Sequence, residues 1–131
     1  MNNILILIRG PQGSGKTTLA NILAAEYGCK VYEADQYFVD PSSGEYAWDA
    51  AEIGRAHEWC RTRTLAALEA GQNAIVSNTC ASKKELDEYL ALAETAGVKV
   101  WEIIAWGKFP NVHGVPEDKV QKKREAFYLN R

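Results

Sequence analysis

The 131 residues predict a three-layer α/β fold, a mainly parallel sheet of about four strands with helices on both faces. Three observations carry this expectation. The chain opens on a continuous β-branched and leucine run ending at glycine, as a strand covered on both faces reads. Strand-like runs then alternate with helix-like segments, and the right-handed crossovers of such an alternation lay helices over both faces. The size, with 47% hydrophobic and 24% charged residues, is that of one domain, 1–131, with no room for a second.

Asn3 to Arg9 is the opening strand. From Lys16 to Tyr27, Leu19, Ile22, Leu23 and Glu26 recur at helical spacing, and Gly28 stands at the C-terminal cap. Lys30 to Ala34 is a short second strand, followed by a loop through Asp35, Asp40, Pro41, Ser42, Ser43 and Gly44 that is dense in turn formers. Asp49, with Glu52 three residues on, opens a helix that runs to Ala70 and stops at Gly71, with Ile53, Ala56, Cys60 and Ala67 on one face. Ala74 to Ser77 is the third strand. Ser82 and Glu85 form a capping box for a helix closed by Gly97, and Val98 to Ala105 is the fourth strand. Pro116, followed by Glu117 and Asp118, opens a final helix to about Leu129.

Composition narrows the function. The net charge is -2, which argues against a protein that coats nucleic acid non-specifically. The charge is unevenly spread: residues 31–58 carry seven acids against the single base Arg55, whereas the last segment is basic through Lys119, Lys122, Lys123 and Arg124. The longest apolar run, Ile4 to Ile8, falls far short of the roughly 20 residues of a membrane helix, and no signal peptide precedes it. A soluble, cytoplasmic protein without a membrane partner is expected. Cys29, Cys60 and Cys80 are odd in number, widely spaced and lack zinc-ligand spacing, so they read as reduced thiols.

Gly10-Pro11-Gln12-Gly13-Ser14-Gly15-Lys16-Thr17 matches G-x-x-x-x-G-K-[ST] in full, between a strand and a helix. It makes the expected fold a P-loop NTPase/kinase fold. Glycines at 10, 13 and 15 let the backbone wrap a phosphate chain and aim its N–H groups inward, and the helix adds a positive dipole end. Gly10, Gln12, Gly13, Ser14, Gly15, Lys16, Thr17 and Thr18 are the candidate ATP-binding residues. Lys16 would reach the β- and γ-phosphates, and the Thr17 hydroxyl would join the shell of a magnesium ion, Mg2+.

P-loop motors usually end a hydrophobic strand in an acid that orders a magnesium-bound water. The third strand here reads Ala74-Ile75-Val76-Ser77-Asn78-Thr79, so that acid is missing, and Asn78 and Thr79 are left to bond a metal-bound water or phosphate. Asp35 follows the second strand, where open α/β sheets bind ligands. An acid there can accept the proton of an attacking hydroxyl. Tyr37, Phe38 and Trp48 lie where a base could stack.

Four blocks together resemble the polynucleotide-kinase-like P-loop kinases: Gly10 to Thr17, Ala34-Asp35-Gln36-Tyr37-Phe38, Val76-Ser77-Asn78-Thr79 and Asn111-Val112-His113-Gly114-Val115-Pro116. The last is the most distinctive, and the resemblance covers nearly the whole chain. It implies a kinase moving the ATP γ-phosphate to a hydroxyl, in polynucleotide kinases the 5'-hydroxyl of DNA or RNA, with Asp35 as general base. It also implies a lid formed by the loop before Pro116 and the helix after it, with Lys108, His113 and Arg124 as lid or substrate residues. The family's 5'-kinases carry an arginine three residues after the aspartate, and here that position is Phe38. Their lid arginines before the proline are represented by Lys108 alone, with charge but no bidentate fork. A nucleic acid or nucleotide is the first expected substrate. A small-molecule kinase and an ATP-binding accessory protein are the alternatives.

Overall fold

The computed structural model describes residues 3–11, 13–78 and 82–105. Four strands form one parallel sheet: β1 (Ile4–Arg9), β2 (Lys30–Tyr32), β3 (Ala74–Ser77) and β4 (Lys99–Ile104), in the spatial order β2-β3-β1-β4. The connecting helices are α1 (Lys16–Tyr27), α2 (Ile53–Glu69) and α3 (Lys83–Ala96). The expected final helix from Pro116 lies outside the described residues.

β1 is central because its residues can be buried on both sides. Leu5 and Leu7 pack with Ala56, Cys60, Ala67 and Leu68 of α2 and with Tyr89, Leu92 and Ala93 of α3. Ile6 and Ile8, pointing the opposite way, pack with Ile75 and with Ala20 of α1, flanked by Leu19 and Leu23. The sheet thus separates two apolar layers, α1 on one face and α2 with α3 on the other, as the three-layer expectation requires. Register fixes the alignment: Ile8 lies opposite Ser77 on one side and Ile103 on the other.

The helix ends follow the sequence signals closely. Gly28 and Gly97 adopt left-handed conformations as C-terminal caps, and the Ser82 hydroxyl accepts the Glu85 N–H. Several details differ from the expectation. Ile22, assigned to the inner stripe of α1, is 61% exposed, because α1 meets the sheet along the narrower line of Leu19, Ala20 and Leu23. Ile53 is likewise exposed, and the segment before it is a separate 3-10 turn, Ala50–Glu52, capped by the Asp49 carboxylate accepting from the Ala51 N–H at 3.0 Å. The second strand stops at Tyr32; Ala34 instead begins a 3-10 turn, Ala34–Phe38.

Candidate active site

Parallel strands place their C-terminal ends on one edge of the sheet, and the described candidate residues lie along it. The phosphate-loop segment leaves β1 at Gly10. A Cβ at this position would lie 2.6 Å from Ser14 Oγ and 2.8 Å from the Ala105 carbonyl oxygen, so only glycine fits. Gly13 and Gly15 hold φ of 77° and 87°, the left-handed region that side chains disfavour. The loop closes with the Ser14 N–H donating to the Pro11 carbonyl at 3.2 Å.

Lys16 is the first residue of α1, half-buried and engaged with neighbouring groups, and Thr17 and Thr18 follow on an exposed first turn. Gly15, in the cap position, supplies no side-chain cap, and the first turn carries no acid. The helix N-terminus thus has no side-chain cap and no acid of its own, and its dipole favours an anion there. Gln12 lies outside the described residues, as do Thr79, Lys108, His113 and Arg124.

Asp35 sits in the 3-10 turn beyond β2, half-buried. An unanticipated capping box fixes this turn: Glu33 and Gln36 cap each other, with the Glu33 N–H donating to Gln36 Oε1 at 3.2 Å. Its signal, an acid followed three residues on by glutamine, is present in the sequence. The Gln36 amide also donates to the Val31 carbonyl at 2.8 Å, tying the turn back to β2.

The following loop folds onto Asp35. Val39 and Tyr46 pair as an antiparallel bridge, and the Asp40 N–H donates to the Glu45 carbonyl at 2.8 Å. The Asp40 carboxylate takes bonds from the Ser42 hydroxyl and from the N–H groups of Ser42 and Ser43, which hold its pKa below the usual carboxylate value. This framework brings the Tyr46 hydroxyl to Asp35, donating to Oδ1 at 3.3 Å. Burial first, then the neighbouring Asp35 charge and this hydrogen bond, push the Tyr46 phenol up to about 12. A hydroxyl already rests against the candidate base, as an acceptor hydroxyl must.

The Asn78 side chain is engaged within the protein. It is 7% exposed, accepts the Ala34 N–H at 2.9 Å, and donates to Tyr89 Oη at 3.1 Å and towards Cys60 Sγ at 3.7 Å. Tyr89 in turn donates to Cys60 Sγ at 3.2 Å. The Asn78 amide thus ties the end of β3 to the turn bearing Asp35 and to α2 and α3. Burial raises the Cys60 thiol pKa despite these hydrogen bonds, consistent with an inert, reduced thiol. Of the aromatic side chains expected to stack a base, Phe38 is 8% exposed and packs edge-on against Tyr37, which itself lies edge-on to Trp59; Trp48 is exposed.

Among the described residues no group of three or more His, Cys, Asp or Glu side chains could hold a metal. Hydroxyls dominate the sheet edge near the loop: exposed Thr17, and Ser14 and Ser77, whose buried oxygens have no hydrogen-bond partner among the described residues. This donor set fits a magnesium ion brought in on phosphates, not one caged by protein carboxylates.

A family profile described as an AAA domain matches residues 5–106. NEDD4-binding protein 2 of Homo sapiens is 33% identical over 135 residues, covering 95% of this chain and 8% of the human protein. The chain therefore spans less than a tenth of that relative's length. A chain in the structure of the Pnkp1/Rnl/Hen1 RNA repair complex superimposes with TM-score 0.75 at 17% identity, covering 98% of this chain and 45% of that one. The Mycobacterium tuberculosis APS kinase CysC, in complex with AMPPNP and APS, gives TM-score 0.60 at 13% identity over 93% of this chain and 68% of that one. The shared fold is that of P-loop kinases. No described helix is long and apolar enough to cross a membrane.

Proposed function

The chain belongs to this AAA-domain family, and on that premise we propose that it is an ATP-dependent phosphotransferase, polynucleotide-kinase-like, which moves the γ-phosphate to a hydroxyl. The observation that carries the reading is the meeting of two elements at one sheet edge: a complete phosphate loop with Lys16 at an uncapped helix start, and Asp35 already bonded to a hydroxyl. AMPPNP in the complex of the M. tuberculosis neighbour supports ATP as the nucleotide.

In this reading the N–H groups of Gly13 to Thr17 and the Lys16 ammonium surround the phosphates and stabilise the charge that spreads over the transferred phosphoryl. Asp35 aligns the acceptor hydroxyl and takes its proton. Thr17 would hold a magnesium ion, whose charge would offset that of the nucleotide phosphates. Lys108, His113 and Arg124 would belong to a lid closing over the phosphates and excluding water, and Thr79 would bond a phosphate or a metal-bound water.

The first acceptor is the 5'-hydroxyl of DNA, RNA or a related nucleotide, a class to which the RNA repair complex neighbour lends support. One observation favours a small neutral acceptor instead. Phe38, at the position of the family's phosphate-holding arginine, is buried against Tyr37 and Tyr46, so no cation reaches out from that position. The test is transfer of γ-labelled phosphate from ATP with magnesium to 5'-hydroxyl single-stranded DNA, to RNA and to a mixture of nucleosides and sugars. Label on oligonucleotides that falls steeply with salt supports the polynucleotide substrate. Label on small acceptors alone selects the second reading, and no label on any acceptor contradicts both.

A further inference from the structure

Ser77 is a buried member of the hydroxyl set at the sheet edge to which the proposed transfer assigns no role. It is the last residue of β3, 3% exposed, and its Oγ has no hydrogen-bond partner among the described residues. Burying a hydroxyl without a partner is unfavourable, so native proteins keep such groups where a ligand, an ion's water shell or an ordered water completes them.

Strand alternation settles which side of the sheet Ser77 occupies. Ala74 and Val76 belong to the layer of α2 and α3, and Ile75 to the layer of α1. Ser77, two residues beyond Ile75, therefore faces the α1 side. Its register partner is Ile8, two residues ahead of Gly10, so it stands beside the strand that feeds the phosphate loop. This is the strand end at which P-loop motors put the acid that orders a magnesium-bound water. The neighbouring Asn78 points to the other layer, where its amide is engaged by Ala34, Tyr89 and Cys60.

We infer that the Ser77 hydroxyl is part of the nucleotide site and bonds a water of the magnesium ion that arrives with ATP, a neutral oxygen in the place of a carboxylate. This inference rests on the nucleotide reading above. The protein then offers the ion two neutral hydroxyls, Thr17 from the helix and Ser77 from the sheet, and the phosphates balance its charge. Magnesium-dependent nucleotide affinity is consequently sensitive to a single hydroxyl that never touches the nucleotide in the absence of the ion.

The test measures AMPPNP affinity by titration calorimetry for the wild type, Ser77→Ala and the near-isosteric Ser77→Cys, each in EDTA and across a magnesium series. In EDTA the three proteins bind alike within about twofold. With magnesium, both variants bind roughly three- to tenfold more weakly than wild type, the scale of one hydrogen bond, and require more magnesium to reach half-saturation. Equal weakening in both buffers would make Ser77 a packing residue and overturn the inference, and so would unchanged affinity in both. If Ser77→Ala does not fold, Ser77→Cys decides alone. A wild type that binds AMPPNP in neither buffer overturns the nucleotide reading itself, and the inference with it.

Discussion

Lys16 and Tyr46 are the side chains whose chemistry is most exposed to a single substitution. Removing the ammonium from the helix start takes away one preorganised charge contact, so Lys16→Ala is expected to lower γ-phosphate transfer on the order of a hundredfold or more. Its thermal midpoint should stay near that of wild type. Tyr46 gives a pH-dependent prediction. Its phenol is raised from 10.0 to about 12 in the folded chain, so the native state holds the proton more tightly than the unfolded one. The stability this contributes is complete below pH 10 and is lost as pH rises through about 12. A spectroscopic titration of tyrosinate should therefore show a late-titrating tyrosine that Tyr46→Phe removes, and that variant should lose less stability than wild type between these pH values. At this scale the positions of Lys16 at a helix start and of Asp35 just beyond a strand were legible, because a spaced motif and a strand end mark them directly. Ser77 and Asn78 were not told apart: β3 is buried on both faces, so no polar–apolar alternation in its sequence marks which of two adjacent polar residues faces α1.

Local elements hold the site through two devices that substitutions can separate. The first is the junction of β1 with its loop. A methyl group at Gly10 would press on the backbone oxygen of Ala105 as well as on Ser14, and backbone cannot rotate aside. Gly10→Ala should destabilise by about 1–3 kcal/mol in urea unfolding and weaken nucleotide binding with it. The second is the Asn78 tie. Asn78→Ala strands the Ala34 N–H and unsettles Tyr89, costing about 1–3 kcal/mol, and loosens the turn that carries Asp35. Transfer in Asn78→Ala should fall while AMPPNP affinity stays, because the phosphate loop lies on a different strand. The sequence located all four described strands and three long helices, since glycine caps and capping boxes act locally. It extended the second strand through Ala34, whereas the Glu33–Gln36 capping box starts the 3-10 turn there.

Over the whole molecule, what matters is that one sheet edge collects residues far apart in the chain. The order β2-β3-β1-β4 puts β1 between β3 and β4, with the phosphate loop at its end and Asp35 two strands away. Arg9, buried at the end of β1, pairs with the partly exposed Glu102 and so ties β1 to β4, while the partly exposed Arg61 of α2 pairs with Glu88 at 2.6 Å and ties that helix to α3. Class and layer arrangement could be read from the alternation of elements, but strand order could not, because helix crossovers of similar length serve adjacent and non-adjacent strands alike. The measurement that bears most directly on the site is single-turnover γ-phosphate transfer by wild type, Lys16→Ala and Asp35→Asn, with AMPPNP affinity determined for each. A shared site in which the loop holds the nucleotide and Asp35 serves the acceptor predicts that Asp35→Asn keeps affinity within about twofold and loses transfer by roughly a hundredfold or more, whereas Lys16→Ala loses both. Asp35→Asn with undiminished transfer, or with affinity lost as completely as in Lys16→Ala, would contradict it.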